Sequence, residues 1–175
     1  TYIQLSKKPY ADPWNNEIYT KNALHIVLNE AADDDIIFFN DVDEIWNKDV
    51  LARYTGGVCN LEMDLYYKYL NTRASADSKW IYSKVFRKKD RTGTFRDMRV
   101  TTCYPTIKDA GWHFSWVGGK EKMMEKASCN RGEPALTTEQ MKENVEKFGL
   151  FEDVCLVKVE PPSFIDKEKY KHLML

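Results

Sequence analysis

A short apolar run that ends in carboxylates constrains this chain more than any other feature. The apolar residues 36–39 are followed directly by Asn40-Asp41-Val42-Asp43-Glu44. Four apolar residues bounded by polar ones predict a strand that is buried on both faces. Open α/β sheets bind their ligands outside the carboxyl ends of such strands. The run therefore predicts a ligand site around Asp41 and Asp43.

The spacing of these two aspartates predicts a divalent-cation site. Two carboxylates one residue apart can face one hard cation where the chain leaves a strand, and that cation can hold a diphosphate. Asp33 and Asp35 repeat the spacing but precede the apolar run, which indicates a solvated turn. We therefore expect Mn²⁺ or Mg²⁺ at Asp41 and Asp43, in an enzyme that handles a nucleotide-linked substrate.

Composition excludes two classes of partner. Acidic and basic residues nearly cancel, and the formal net charge is -1. We therefore expect neither a nucleic-acid footprint nor a polybasic membrane face. No stretch is long and apolar enough to suggest a membrane segment in this chain.

The 175 residues predict a single domain, 1–175, with a substantial core. The four cysteines lie far apart, and no histidine stands near them at zinc spacing, so we expect no disulfide framework. Cys59 and Cys155 fall in strand-like patterns and are predicted to be buried thiols.

Periodicity and capping signals predict helices and strands that interleave without strict alternation. The expected fold is therefore a mixed α/β sheet flanked by helices on both faces. Helices are predicted over 16–31 with Asn15 as its cap, 46–54, 119–128 and from a Thr137 cap to about 148. Strands are predicted over 36–39, 60–69, 80–87, 99–104 and 154–159.

A second cluster, Trp112-His113-Phe114-Ser115-Trp116, lies between glycines. If this segment is extended, Trp112, Phe114 and Trp116 share one face, and His113 and Ser115 share the other. His113 is the candidate third ligand, and an imidazole would favour Mn²⁺ over Mg²⁺. The alternative is a structural histidine beside a core.

Three segments resemble glycosyltransferase family 17, which includes the β-1,4-mannosyl-glycoprotein 4-β-N-acetylglucosaminyltransferases. Asn40 to Ile45, with Asp49 after it, looks like the signature of that family. The segment 110–116 with the glycines after it resembles its second motif, and 161–173 resembles its C-terminal segment. Order and spacing agree over roughly residues 34–173.

The resemblance implies a GT-A-like fold and an inverting transfer of a sugar, for example N-acetylglucosamine, from a nucleotide-sugar donor to a glycan acceptor. It also implies that an N-terminal donor-binding strand is missing or shortened here. The implied compartment is the cytoplasm for a microbial protein, or the Golgi lumen if an upstream anchor exists.

Inversion requires a carboxylate that takes the proton of the acceptor hydroxyl. The candidates are Glu44, Asp49 and Glu133, and they are not ranked; Asp49 could instead cap a helix. Trp112, Ser115 and Trp116 are the candidate substrate-binding residues.

Three other readings stay open. One is a non-catalytic carbohydrate-binding module, since aromatic residues make up 13% of the chain and can stack on sugars or form a core. Another is an inactive transferase relative without its donor-binding segment. The third is a phosphatase-like hydrolase, although Ile45 stands where that chemistry usually needs a hydroxyl.

Overall fold

The computed structural model describes residues 10, 13–74, 79–129, 138–148 and 156–175. These residues form a mixed α/β fold, which confirms the predicted class at that level. Glu133, Cys155 and the Thr137 cap lie outside the described residues. Within the described ranges, every helix is too short or too polar to cross a bilayer.

Seven strands and five α-helices occur in the described part of the chain. The strands are β1 (Ile36–Phe39), β2 (Glu44–Trp46), β3 (Cys59–Tyr67), β4 (Thr72–Ala74), β5 (Lys79–Arg87), β6 (Thr106–Ser115) and β7 (Leu156–Lys158). The helices are α1 (Pro13–Ala23), α2 (Val50–Arg53), α3 (Phe95–Val100), α4 (Gly119–Cys129) and α5 (Thr138–Phe148). Short 3₁₀ helices cover Leu24–Glu30, Lys88–Asp90 and Lys171–Leu173.

Hydrogen bonds connect the strands in the order β1-β5-β3-β4-β7, and β6 joins β3 on one side and β2 on the other. β1 runs antiparallel to β5, with Ile36 opposite Arg87. β4 runs antiparallel to both β3 and β7. The predicted strand over 36–39 is confirmed, but its burial on both faces is wrong. β1 ends the strand order, so Ile36 is 37% exposed and only Phe39 is buried.

Two other element predictions need correction. The first helix begins at Pro13, ahead of the predicted Asn15 cap, since proline suits a first turn, where no N–H is needed. The strand predicted over 99–104 is wrong, because α3 occupies 95–100. A capping box at the start of α3 joins Thr94 to Asp97. The third helical position of a capping box is usually glutamate or glutamine, so the aspartate here makes the box hard to recognise in the sequence.

The predicted short helix over 46–54 is reduced to α2, since Trp46 belongs to β2. The predicted strands around 60–69 and 80–87 and the helix over 119–128 are confirmed with small shifts at their ends. β3 ends early because Lys68 adopts a positive φ of 70°.

Backbone contacts divide the chain into two compact units. The first comprises the described residues within Thr1–Val42, Trp46–Glu62 and Ile81–Gly111. The second comprises those within Asp43–Ile45, Met63–Trp80 and Trp112–Leu175.

Each unit has its own buried cluster of apolar side chains. The first unit buries Leu28, Phe39, Val58, Phe86, Phe95 and Met98. The second buries Tyr67, Trp116, Met123, Met141 and Val145.

Candidate functional site

Asp43 and His113 lie together in the second unit. Asp43 directly precedes β2, and its carbonyl oxygen accepts a hydrogen bond from the Phe114 amide at 2.9 Å. This backbone bond sets the segment beside β6, and Oδ2 of Asp43 lies 3.6 Å from Nε2 of His113. The imidazole is 6% exposed, whereas the Asp43 side chain keeps 34% of its surface in solvent. A carboxylate oxygen and an imidazole nitrogen, both of them atom types that bind metal ions, therefore lie close together at a partly open position.

The charges around Asp43 keep it ionised. Burial raises the pKa of its carboxyl, but the neighbouring His113 imidazole and the positive charge of Lys126 outweigh burial. The net pKa lies below the usual aspartate value. Lys126 is exposed and lies over the Trp116 ring, with 4.8 Å between its Nζ and the ring centroid. The site thus combines an anionic oxygen with a nearby exposed ammonium group.

Trp80 contacts the His113 ring, and the sequence patterns do not single it out as a site residue. Its ring centroid lies 4.1 Å from that of His113, with 43° between the planes. Its indole Nε1–H donates to Oε1 of Glu44 at 2.5 Å. Glu44 is only 2% exposed. No sequence signal pairs Trp80 with these residues, because alternation along β5 predicts a strand but not its side-chain contacts.

The second ring nitrogen of His113 has an unusual surrounding. Nδ1 is buried and has no hydrogen-bond partner among the described residues. Buried polar atoms are nearly always hydrogen-bonded. In the part of the chain that the structure describes, contacts other than a hydrogen bond at Nδ1 therefore orient this ring.

Asp41 belongs to the first unit, where two cationic side chains bind it. Its Oδ1 lies 2.9 Å from Nζ of Lys21, and its Oδ2 lies 2.6 Å from a guanidinium nitrogen of Arg99. Arg99 is itself 5% exposed. A metal ion at Asp41 would have to compete with both cations. A cation shared by Asp41 and Asp43 stays a prediction.

The three candidate bases have different surroundings. Glu44 is buried against the Trp80 indole. Asp49 is exposed in the first unit at the N-cap position of α2, where its side chain makes no capping hydrogen bond. Glu133 lies outside the described residues. The identity of the base stays open.

The candidate substrate-binding residues are not on one surface. Trp112 packs edge-on against Phe164 at 4.9 Å between ring centroids. Because neighbouring residues of a strand face opposite sides, Trp112 lies on the face of β6 opposite His113. Ser115 is half-buried at the end of β6.

Trp116 leaves the strand with a φ of 54° and is 8% exposed within the core of the second unit. A substrate contact by Trp112, Ser115 or Trp116 stays a prediction.

The carboxylate oxygen of Asp43 and the ring nitrogen of His113 fit Mn²⁺ better than Mg²⁺, because Mg²⁺ prefers oxygen ligands throughout. Among the described residues no group of three or more His, Cys, Asp or Glu side chains could hold a metal ion. Nucleotide-dependent enzymes commonly bind their cation through one or two side chains plus water and phosphate oxygens. The pair is therefore suited to a cation that arrives with a phosphorylated ligand.

Comparison with known proteins gives no match to a family model, to a curated protein or to a solved structure. The resemblance to glycosyltransferase family 17 thus depends on the sequence motifs alone.

Proposed function

We propose that this protein is a metal-dependent inverting glycosyltransferase with a GT-A-like fold. It would move a sugar, such as N-acetylglucosamine, from a nucleotide-sugar donor to a glycan acceptor. The observation that carries the proposal is the 3.6 Å approach of Asp43 to His113. These two residues come from the two sequence motifs, seventy residues apart, on which the family resemblance depends.

Asp43 and His113 would hold Mn²⁺ through one carboxylate oxygen and one ring nitrogen. When bound, the cation supplies positive charge that neutralises the departing diphosphate. The lowered pKa of Asp43 supports this role, because a carboxyl group must be ionised to bind a metal. Asp41 is kept as a further proposed ligand of this cation.

Lys126 is suited to contact the phosphates of the donor. Its ammonium group is exposed and acts on Asp43 by charge. A lysine beside a cation site adds positive charge where negative charge grows during transfer.

The acceptor hydroxyl must lose a proton to a carboxylate during in-line attack. Asp49 and Glu133 remain the better candidates, since Glu44 is 2% exposed and already accepts the Trp80 N–H. A base needs to reach the acceptor, and a buried carboxylate held by an indole is poorly placed for this.

A thermal-shift screen tests the proposal. UDP, GDP and dTDP are each added with Mn²⁺, and again with EDTA, to the wild type and to Asp43→Ala. We expect one nucleotide to raise the melting temperature of the wild type only with Mn²⁺, and to have no effect on Asp43→Ala. The matched control is Asp34→Ala, which removes an exposed aspartate paired with Lys89 at 2.6 Å.

Three results would contradict the proposal. The first is a nucleotide shift of equal size in EDTA or in Asp43→Ala. The second is stabilisation by Ca²⁺ with no nucleotide effect, which would favour a carbohydrate-binding module. Release of phosphate from an aryl phosphate would favour a hydrolase.

A further inference from the structure

The orientation of the His113 imidazole needs an explanation. A histidine that binds a metal through one nitrogen usually donates the other N–H to a carboxylate, a carbonyl or water, and this bond fixes the ring. Nδ1 of His113 is buried without such a partner among the described residues. The hydrogen bond that usually fixes a metal-binding imidazole is thus not found in the described part of this site.

Trp80 contacts the ring directly. The two rings are 4.1 Å apart at their centroids. A large flat side chain packed on an imidazole restricts its rotation, because turning the ring would bring it into the indole.

The indole is itself held in place. Its N–H donates to Oε1 of Glu44 at 2.5 Å, and this directional bond fixes the edge of the indole. Glu44 is 2% exposed and is the chain neighbour of Asp43. One short segment therefore supplies both the carboxylate ligand and the anchor of the indole.

We propose that Trp80, anchored by Glu44, is the positioning residue that holds the His113 imidazole for cation binding. Within the described ranges, packing by the indole takes the place of a hydrogen bond at Nδ1. Glu44 then acts through Trp80 and not as the base of the transfer reaction. The inference rests on the proposed function only in requiring a cation at Asp43 and His113.

Four variants test this role. Trp80→Leu removes the ring, and Trp80→Phe keeps a ring but loses the N–H. Glu44→Gln keeps an acceptor oxygen for the indole, and Glu44→Ala removes it. The matched control is Trp46→Leu, which removes an indole stacked on Phe38 at 4.0 Å in the first unit.

The first measurement uses the metal-free protein. The chain has three histidines, so their ring-proton NMR signals can be assigned by substitution. We expect the His113 signals to be shifted by the Trp80 ring current, and to return toward those of His25 and His172 in Trp80→Leu. Trp46→Leu should leave them unchanged.

The second measurement is the affinity for Mn²⁺. It is obtained from the electron paramagnetic resonance signal of the free ion, which decreases as Mn²⁺ binds. Loss of a group that orients a ligand typically costs about 10- to 100-fold in metal affinity. We expect this loss in Trp80→Leu and Glu44→Ala, a smaller one in Trp80→Phe, and wild-type affinity within a few-fold in Glu44→Gln.

Unchanged His113 signals and unchanged Mn²⁺ affinity in Trp80→Leu would overturn the inference. If Trp80→Leu or Glu44→Ala does not fold, Trp80→Phe decides, because wild-type affinity in that variant would show that the anchored indole is not required. Wild-type Mn²⁺ affinity in a folded Glu44→Ala variant would show that Glu44 does not act as an anchor of the indole. A wild type that binds no Mn²⁺ contradicts the proposed function, and the metal-free signals then decide alone whether Trp80 fixes the ring.

Discussion

At the scale of single residues, Asp43 links charge to stability. Its pKa is lower in the folded chain than the ordinary value of about 3.9. A group whose pKa is lower in the folded than in the unfolded chain stabilises the fold at pH values above its pKa in the unfolded chain. This stabilisation is lost as the pH falls through the pKa of the folded chain. The side chain is 34% exposed, so solvent keeps the contribution below about 1 kcal/mol.

Asp43→Asn should therefore lower the melting temperature slightly at neutral pH. The difference from the wild type should shrink below about pH 4, where the wild-type carboxyl also becomes neutral. Circular dichroism can monitor the thermal unfolding of both proteins from pH 2 to pH 7, in steps of about half a pH unit. The difference in melting temperature at each pH is the measured quantity. A difference that grows as the pH falls would contradict the lowered pKa.

Asn60 is a second residue whose role is specific. It is fully buried, and its Nδ2 donates to the Thr102 carbonyl at 3.0 Å and to the Tyr104 carbonyl at 2.8 Å. Asn60→Ala leaves these part-buried carbonyls without that donor, at a cost of about 1–3 kcal/mol in the free energy of unfolding. Urea denaturation measures the loss, and the exposed Asn29→Ala should change stability by less than about 0.5 kcal/mol.

Residue types could be predicted from the sequence better than residue contacts. His113 is predicted to lie near Asp43 because it stands at the end of a later element that could return to the same sheet edge. The bonds of Asp41 to Lys21 and Arg99 were not predictable, since they join residues 20 and 58 positions apart. The Glu44–Trp80 bond spans 36 positions and is equally invisible to local periodicity.

At the scale of elements, α3 depends on its N-terminal cap. Oγ1 of Thr94 accepts from the Asp97 amide at 3.1 Å, and the Asp97 carboxylate accepts from the Thr94 amide at 3.3 Å. Thr94→Ala should cost about 1 kcal/mol in the free energy of unfolding. Chemical denaturation checks this, with the exposed Thr55→Ala as control; equal stabilities of the two variants would contradict the role of the cap.

Elements with strong periodicity were the ones predicted correctly. The alternation in β3 and β5 and the helical pattern of α4 gave those elements nearly correct bounds. Arg99, Val100 and their neighbours were assigned to a strand because β-branched residues cluster there. A short helix with an aspartate in its capping box has too few turns to show a 3.6-residue period.

At the scale of the whole molecule, the class of fold was predictable and the topology was not. Interleaved helical and strand patterns indicate a mixed α/β fold, whatever the order of the strands. The place of β1 beside β5 depends on pairing between residues 36 and 87, which no local pattern encodes. The apolar run could therefore not reveal that it forms the end of the strand order.

The central claim is that Asp43 and His113 bind one divalent cation. Mn²⁺ broadens NMR signals of nearby nuclei, so substoichiometric Mn²⁺ added with a nucleoside diphosphate shows which of the three histidines binds it. The account predicts that His113 signals broaden first in the wild type and persist in Asp43→Asn. Broadening that begins at His25 or His172, or that is the same in Asp43→Asn, would contradict it.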